Sequence, residues 1–141
     1  MVGNRRSLAL CALTVSELAR GLENGSFSSE AVTDAYLENI ALQNSTLNVF
    51  LEVFGDTARE EARASDRRRR EGKPLSRLDG VPFAVKDNLC VEGRLCTCAS
   101  RMLENYRSPY TATAVRRLQE AGEKLARGDY AGSPALSRWA L

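Results

Sequence analysis

A run of five apolar residues, VPFAV at 81–85, constrains the fold of this chain more than any other segment. A short apolar run without polar alternation is typical of a strand that is buried on both faces. The run follows a turn-forming sequence, RLDG at 77–80, and Pro82 stands near its start, where a strand tolerates the missing N–H. The sequence therefore predicts a short buried strand here.

The strand leads into a polar loop that begins with Lys86, Asp87 and Asn88. The loop after a buried strand is a common place for reactive groups. A lysine that is partly desolvated there has a lowered pKa, because burial disfavours the ammonium form, and it can accept a proton near neutral pH. The pattern alone favours a second interpretation, in which Lys86 is an ordinary surface lysine.

Two amphipathic helices are predicted before this strand. Thr14 and Glu17 form a capping box, and apolar residues then recur at helical spacing until Gly25. Ser28 is predicted to cap a second helix that runs to about Gln43. We expect these two helices to pack as a hairpin.

The segment between the second helix and the turn is predicted to hold a strand and a helix. LNVFLEVF at 47–54 is rich in β-branched and aromatic residues, which fits a strand. Asp56 is expected to cap a helix that ends at Gly72. Its apolar side consists of alanines and its charges are spaced for pairs within the helix, so we expect it to be solvated.

Four consecutive arginines, Arg67 to Arg70, raise the question of nucleic-acid binding. The segment 56–77 carries eight basic and five acidic residues, without interleaved aromatic residues. Contact with tRNA is one interpretation, and the favoured one is a solvated helix face.

The last third of the sequence predicts a loop, a helix and a tail. Residues 89–110 suggest a long ordered loop with one helical turn near 101–104. Thr111 is expected to cap a helix that ends at Gly122, and residues 123–141 are expected to be a poorly ordered tail. The buried side of this helix is predicted to consist of Ala114, Val115, Leu118 and Ala121.

Composition excludes several kinds of function. The 141 residues contain no histidine, which rules out Ser-His-Asp and Cys-His catalysis, histidine-ligated zinc and a histidine pH switch within this sequence. A net charge of +2 gives no global field that would favour nucleic acid or an anionic membrane. No apolar run approaches the roughly 20 residues that a membrane span needs.

Cysteine usage suggests reduced thiols rather than a metal site. The four cysteines lie at positions 11, 90, 96 and 98. Their spacing lacks the paired C-x2-C of structural zinc sites, so metal binding is the less favoured interpretation.

Three motifs in this order resemble the amidase signature family: DGVPFAVKDN at 79–88, TCAS at 97–100 with the following MLENY, and PYTATAVRRLQEAG at 109–122. With the two-helix start and the LNVF segment, the resemblance covers residues 14–122. Within the family, the A subunits of glutamyl-tRNA(Gln) amidotransferase are most similar, chiefly through TCAS and MLENY. The resemblance implies an α/β fold, the N-terminal fragment of the amidase signature fold, in which a helical hairpin precedes helices that flank the start of a mixed sheet.

The resemblance also implies a mechanism, in which a lysine deprotonates a bridging cis-serine and that serine activates a nucleophilic serine that attacks a carboxamide. Lys86 matches the family's lysine and is the one catalytic residue that we assign. In the A subunits the amide is glutamine, and the released ammonia passes to a B-type subunit that amidates ATP-activated Glu-tRNA(Gln), with a C-type subunit in the complex. We expect no cofactor in this chain, since ATP and Mg would be used by the B-type subunit, and only indirect contact with Glu-tRNA(Gln).

The sequence departs from the family after Gly122. The family continues into a strand, a GKTN-type segment and a Gly/Ser-rich stretch that holds both catalytic serines, whereas this chain reads EKLARGDYAGSPALSRWAL. Ser133 and Ser137 lack that glycine-rich context, and we assign them no catalytic role. A lysine without a serine to activate cannot form an acyl-enzyme, so this chain alone is expected to be inactive.

The expected organisation is an N-terminal extension at 1–13, a partial amidase domain at 14–122 and a divergent tail at 123–141. The extension contains Arg5 and Arg6 and no acid, as mitochondrial presequences do, which predicts the mitochondrial matrix in a eukaryote and otherwise the cytoplasm. Two alternatives stay open: a fragment of a general amide hydrolase of the same family, and a truncated, non-catalytic isoform that acts as an interaction module.

Overall fold

The computed structural model describes the backbone of residues 3–122 and 124–125. Within these residues the elements are, in chain order, α1 (Gly3–Cys11), α2 (Val15–Glu23), α3 (Ser29–Leu47), α4 (Gly55–Arg70), β1 (Pro82–Phe83), a 3-10 turn (Arg101–Leu103), α5 (Thr113–Glu120) and β2 (Lys124–Leu125). In the same part of the chain, every helix is too short or too polar to cross a membrane.

The two predicted helices before the strand are confirmed. The Thr14 hydroxyl accepts a hydrogen bond from the Glu17 N–H (3.3 Å), and the Glu17 carboxylate accepts one from the Thr14 N–H (2.8 Å), so a capping box starts α2. At the start of α3, the Ser28 hydroxyl accepts from the Ala31 N–H (3.1 Å). This helix runs further than predicted, to the left-handed residue Asn48 (φ 47°).

A shared apolar core joins these helices to the strand region. Leu18 and Leu22 of α2 pack in it with Val32 of α3 and with Val81, which precedes β1. Side chains of α2 and α3 meet in this core, but the two helices do not lie alongside each other, so the predicted hairpin is wrong. The helices that lie alongside α3 are α1, which the sequence analysis does not predict, and α4.

The predicted strand at 47–54 is wrong. Leu47 ends α3, and the residues after it follow an irregular path to α4. The Asn44 side chain accepts hydrogen bonds from the N–H groups of Val49 (2.9 Å) and Phe50 (2.8 Å) and donates one to the Phe50 carbonyl (2.9 Å). Because a side chain binds these backbone groups, they do not join a strand ladder.

The fourth helix is more buried than expected. It begins at Gly55 with Phe54 as its N-cap, so Asp56 lies in the first turn and the predicted cap is wrong. Ala58 and Ala62 are both 0% exposed, because their small side chains let α4 lie close against α3. The expectation of a fully solvated helix is therefore wrong for the alanine face.

Ion pairs also connect α4 to α3. Arg59 lies 2.8 Å from the carboxylate of Asp34, and Arg63 lies 2.7 Å from that of Glu30. Both acids belong to α3, whereas the sequence analysis expects pairs within α4; one such pair is present, between Arg59 and Asp56 at 3.6 Å. These pairs are largely exposed, so they set the orientation of the helices more than they add to stability.

The strand predicted at 81–85 is confirmed for Pro82–Phe83, but its full burial is not: Pro82 and Phe83 are half-buried and Ala84 is exposed, so only Val81 and Val85 are buried. The strand pairs in parallel with β2, Pro82 opposite Lys124 and Phe83 opposite Leu125. The intervening α5 makes the unit a βαβ crossover. The expectation of a poorly ordered tail is wrong for residues 124–125, and the rest of the tail lies outside the described residues.

The helix of this crossover differs from the prediction in its cap and its buried side. Its N-cap is Ala112, while the Thr111 hydroxyl accepts a hydrogen bond from the Glu92 N–H (3.0 Å). Val115 is 1% exposed and packs with Val85 and Val91 in a second core cluster. The other predicted members are exposed or half-buried: Ala114, Leu118 and Ala121. The helical turn predicted in the preceding loop is confirmed at Arg101–Leu103.

The predicted turn before β1 is confirmed, and a buried ion pair fixes it. The Asp79 carboxylate is 0% exposed and accepts hydrogen bonds from the Arg68 guanidinium (2.9 and 2.6 Å) and the Leu75 N–H (3.1 Å). Arg69 donates to the Asp79 carbonyl (2.6 and 3.0 Å). Burial raises the pKa of the Asp79 carboxyl, but the hydrogen bonds from Arg68 and Leu75 outweigh this and hold the pKa below its ordinary value.

The same turn contacts the end of α5. The Gly80 N–H donates to the Gly122 carbonyl (2.9 Å), and the Ser29 hydroxyl donates to the Gly80 carbonyl (2.7 Å). Gly122 has a φ of +83°, and a Cβ there would lie 2.6 Å from Oδ1 of Asp79, so a side chain does not fit. Helices α3, α4 and α5 therefore all meet the chain at the entrance to β1.

We expect Arg68→Gln to lower the free energy of unfolding by about 3 kcal/mol, because it leaves the Asp79 carboxylate buried without its cation. Arg70→Gln is the matched control from the same run of arginines, and an exposed site of this kind should change stability by less than about 0.5 kcal/mol. Urea denaturation followed by circular dichroism at neutral pH measures both.

The pH dependence of this difference provides a second check. Since the folded pKa of Asp79 is lowered, the ion pair stabilises the fold above the ordinary value of 3.8, and this contribution is lost as the pH falls through the folded pKa. The difference in the free energy of unfolding between Arg68→Gln and Arg70→Gln should therefore become smaller in acid. Equal effects of the two substitutions at neutral pH would contradict the assignment.

Candidate active site

Burial alternates from residue to residue along the segment that follows β1. Val85 and Asp87 are each 3% exposed, whereas Ala84, Lys86 and Asn88 are exposed. Val85 belongs to the second core cluster. The side chain of Lys86 therefore lies on the outer side of a segment that is anchored through its two neighbours.

Within the described residues, Lys86 has the environment of a surface lysine rather than that of a partly desolvated one. The period-two alternation accounts for this, because a buried Val85 and a buried Asp87 leave the side chain between them facing outward. The Lys86 carbonyl accepts a hydrogen bond from the Leu89 N–H (2.9 Å), so its backbone is fixed in a turn. The position of the lysine is thus well defined, while its catalytic role stays a prediction.

Asp87 is a positioning residue that the sequence analysis misses. Its carboxylate accepts hydrogen bonds from the N–H of Thr97 (2.8 Å) and from the Thr97 hydroxyl, and its carbonyl accepts one from the Cys98 N–H (3.3 Å). Asp87 thus ties the loop that carries Lys86 to the TCAS motif. The sequence signal that could have revealed this role is spacing, because Asp87 lies two residues after the apolar Val85 and so on the same, buried side. A buried carboxylate needs hydrogen-bond donors around it.

The TCAS motif adopts an uncommon backbone conformation. Cys98 (φ 50°) and Ala99 (φ 57°) are consecutive left-handed residues, although neither is glycine. The Thr97 hydroxyl accepts a hydrogen bond from the Ala99 N–H (3.2 Å), and the Thr97 carbonyl accepts one from the Ser100 N–H (2.8 Å). Such strain is common at functional sites, which makes this motif, beside Lys86, a candidate part of the site.

The arginine run is divided between the interior and the surface. Arg68 and Arg69 are bound to Asp79, as described above, whereas Arg67 and Arg70 are more exposed and have no such contact with the turn. The interpretation of the whole run as a solvated face is therefore wrong for two of its members. Any contact with tRNA through this run would depend on the other two arginines.

The four cysteines are free thiols, as predicted. Cys90 and Cys96 approach each other closely, with their sulfur atoms 3.6 Å apart. Among residues 3–122 and 124–125, no three His, Cys, Asp or Glu side chains are grouped in a way that would hold a metal ion.

A cavity of about 120 Å³ lies beside β1, between the second half of α3 and the segment after it. Most of its wall is apolar, and it is lined by Tyr36, Asn39, Ile40, Gln43, Asn44, Leu47, Val49, Phe50, Pro82, Phe83 and Ala84. Lys86 is two residues beyond the last of these, so the cavity adjoins the candidate site without including the lysine.

Comparison with known proteins identifies the family. The family model described as Amidase matches residues 31–125, more than half of the chain, and this range contains Lys86, Asp87 and Thr97. The chain belongs to the amidase family. Two curated relatives are A subunits of glutamyl-tRNA(Gln) amidotransferase: that of Pseudomonas putida is 46% identical over 110 residues, and that of Synechococcus sp. (strain CC9605) is 42% identical over 110 residues.

A solved amidase shares the fold. The peptide amidase of Stenotrophomonas maltophilia matches 83% of the chain with a TM-score of 0.74 and 32% identity. The expected fold class, α/β and corresponding to the N-terminal part of an amidase signature protein, is thereby confirmed. The match to the two curated relatives takes in 78% of this chain but only 23% and 22% of theirs, and the match to the peptide amidase takes in 24% of that protein. The chain thus spans less than a quarter of each amidase.

We expect Asp87→Asn to loosen the TCAS loop, because the amide keeps the size of the carboxylate but weakens the bonds to Thr97. Amide hydrogen exchange at Thr97 and Cys98 should become faster, and the free energy of unfolding should fall by about 1–3 kcal/mol. Asn88→Asp, at the exposed neighbour, is the control. Unchanged exchange at Thr97 in Asp87→Asn would show that the bond does not hold the loop.

Proposed function

We propose that this chain is the lysine-bearing part of the glutamine-hydrolysing A subunit of a glutamyl-tRNA(Gln) amidotransferase. The observation that carries the proposal is the fixed position of Lys86, between two buried anchors and next to the strained TCAS loop. The proposal is supported by the names of the relatives from Pseudomonas putida and Synechococcus sp., which are 46% and 42% identical over 110 residues.

In this proposal Lys86 is the general base. Lys86 lies on the same exposed side of the chain as Ala84 and Asn88. In a longer protein this side would be covered by the part that carries the two serines. Covering this side would remove water from the amine and favour its neutral form. The amine would then take a proton from the bridging serine, which in turn would activate the nucleophilic serine.

The chain by itself is then inactive in glutamine hydrolysis. It spans less than a quarter of its curated relatives, and its motif match contains the lysine but not a Gly/Ser-rich stretch with paired serines. An alternative is that such a chain exists as a non-catalytic isoform that docks on the other subunits.

The product of the longer enzyme would be ammonia, which a B-type subunit would use to amidate ATP-activated Glu-tRNA(Gln), with a C-type subunit in the same complex. ATP and Mg would belong to the B-type subunit. We place the protein in the mitochondrial matrix if the source is a eukaryote, on the strength of Arg5 and Arg6 in an acid-free N-terminus, and otherwise in the cytoplasm.

A general amide hydrolase is the second candidate. The likeness to the peptide amidase of Stenotrophomonas maltophilia, at 32% identity and a TM-score of 0.74, favours it. Its identity is lower than that of the amidotransferase subunits, which makes it the weaker candidate.

The role of Lys86 is tested in a full-length protein that carries this segment. Lys86→Ala should lower kcat/KM for glutamine hydrolysis by about 1,000-fold or more, because the serine loses its base. Lys73→Ala, at an exposed lysine after α4, should leave the rate within about twofold. Turnover that survives Lys86→Ala, with the fold intact by circular dichroism, would refute the assignment.

Partner binding separates the two candidate functions. The full-length protein should co-purify with a B-type subunit. In the presence of this partner, glutamine and ATP, it should convert Glu-tRNA(Gln) to Gln-tRNA(Gln). Rapid hydrolysis of simple amides without a partner, together with no binding to the B-type subunit, would favour the general amide hydrolase.

A further inference from the structure

Cys90 and Cys96 face each other across the loop that follows the candidate lysine. Their sulfur atoms are 3.6 Å apart, so a disulfide of about 2.05 Å requires an approach of about 1.5 Å. Five residues separate the two cysteines in the chain.

The backbone holds both cysteines in place. The Cys90 carbonyl accepts a hydrogen bond from the Ala112 N–H (2.8 Å), and the Cys96 N–H donates to the Tyr106 carbonyl (3.0 Å). An antiparallel bridge between Leu95 and Arg107 continues the pairing. The approach of the two thiols is therefore a property of the folded loop rather than of chance encounters in a flexible one.

The two thiols differ in the way that stepwise oxidation requires. Cys90 is partly exposed, and its sulfur lies 3.5 Å from the Tyr110 hydroxyl. Hydrogen bonding with the hydroxyls of Tyr110 and Ser108 lowers the pKa of Cys90, which favours the reactive thiolate. Cys96 is buried, and burial raises its pKa to about 12, so Cys90 is the thiol that ionises and reacts with an oxidant first.

We propose that Cys90 and Cys96 form a peroxide-responsive thiol pair, in which Cys90 reacts first and Cys96 closes the disulfide. The Cys90 sulfur attacks one oxygen of hydrogen peroxide, the O–O bond breaks, and sulfenic acid and one water form. The Cys96 sulfur then attacks the sulfenic sulfur, the S–O bond breaks, and the leaving oxygen takes the Cys96 proton to give a second water. Two thiols and one peroxide thus give one disulfide and two waters.

Oxidation of this pair also reaches the segment that carries Lys86. In the reduced protein, the Cys96 thiol donates a hydrogen bond to the Asp87 carbonyl (3.3 Å). The disulfide has no S–H to donate, so it removes one of the bonds by which the loop holds Asp87. The pair therefore lies where its redox state alters the support of the candidate lysine.

Cys98 is the competing thiol. It is exposed and close enough to Cys96 to influence its ionisation. Trypsin cleaves after Lys86, Arg94 and Arg101, which separates Cys90 from the other two cysteines, and a Cys98→Ser variant then distinguishes a bond to Cys96 from a bond to Cys98. Cys90 then lies on the peptide 87–94, whereas Cys96 and Cys98 share the peptide 95–101.

The experiment treats the purified chain with a small excess of hydrogen peroxide, blocks the remaining thiols with N-ethylmaleimide, and maps the tryptic peptides without reductant by mass spectrometry. We expect a cross-link between peptides 87–94 and 95–101 as the main oxidised product, reversed by dithiothreitol. Cys98→Ser should keep the cross-link, and Cys90→Ser should abolish it. Cys11, which lies on α1, should be recovered alkylated.

Three results would overturn the proposal. The first is a disulfide within peptide 95–101, which pairs Cys96 with Cys98. The second is loss of the cross-link in the Cys98→Ser variant, whether Cys90 is recovered as a thiol or as sulfinic or sulfonic acid. The third is an equal cross-link yield in urea that unfolds the chain, because the folded loop would then make no contribution.

Discussion

The ion pair between Arg68 and the buried Asp79 fixes the turn on which the rest of the structure depends. The Asp79 carboxylate binds the Arg68 guanidinium of α4, and the Asp79 backbone carbonyl accepts a hydrogen bond from Arg69. The adjoining Gly80 contacts Ser29 of α3 and Gly122 after α5. Three helices are thus fixed relative to the entrance of β1 by one turn, and this turn sets the direction of the strand that follows.

The position of the candidate lysine follows from this turn and from the pleat of an extended chain. Once Val81 enters the first core and Val85 the second, alternation leaves Lys86 outside and Asp87 inside. Asp87 then binds the TCAS motif through Thr97. The candidate lysine is therefore held in place by its neighbours Val85 and Asp87, and the motif at 79–88 contains these supporting residues along with the lysine.

The sequence predicts those parts of the fold whose signals are local. The capping box of α2, the Ser28 cap of α3 and the apolar strand are each specified by residues within a few positions of one another, and the structure contains them. The strand predicted at 47–54 fails because the Asn44 side chain binds the backbone there. No pattern of neighbouring residues in the sequence shows that the Asn44 side chain binds these backbone groups. The alanine face of α4 is likewise buried by a contact that is distant in the sequence, the packing of α4 against α3. The role of Asp87 could not be predicted either, because it depends on where the fold places Thr97.

The parallel pairing of β1 with β2 has a consequence for how the protein is made. The packing of α3 against α1 and α4 is complete within residues that precede the strand. The lysine-bearing strand, by contrast, stays without its neighbour until Lys124 and Leu125 leave the exit tunnel. During that interval its apolar residues and backbone groups resemble an unpaired sheet edge, so the segment that carries the motif is the one most exposed to wrong pairing.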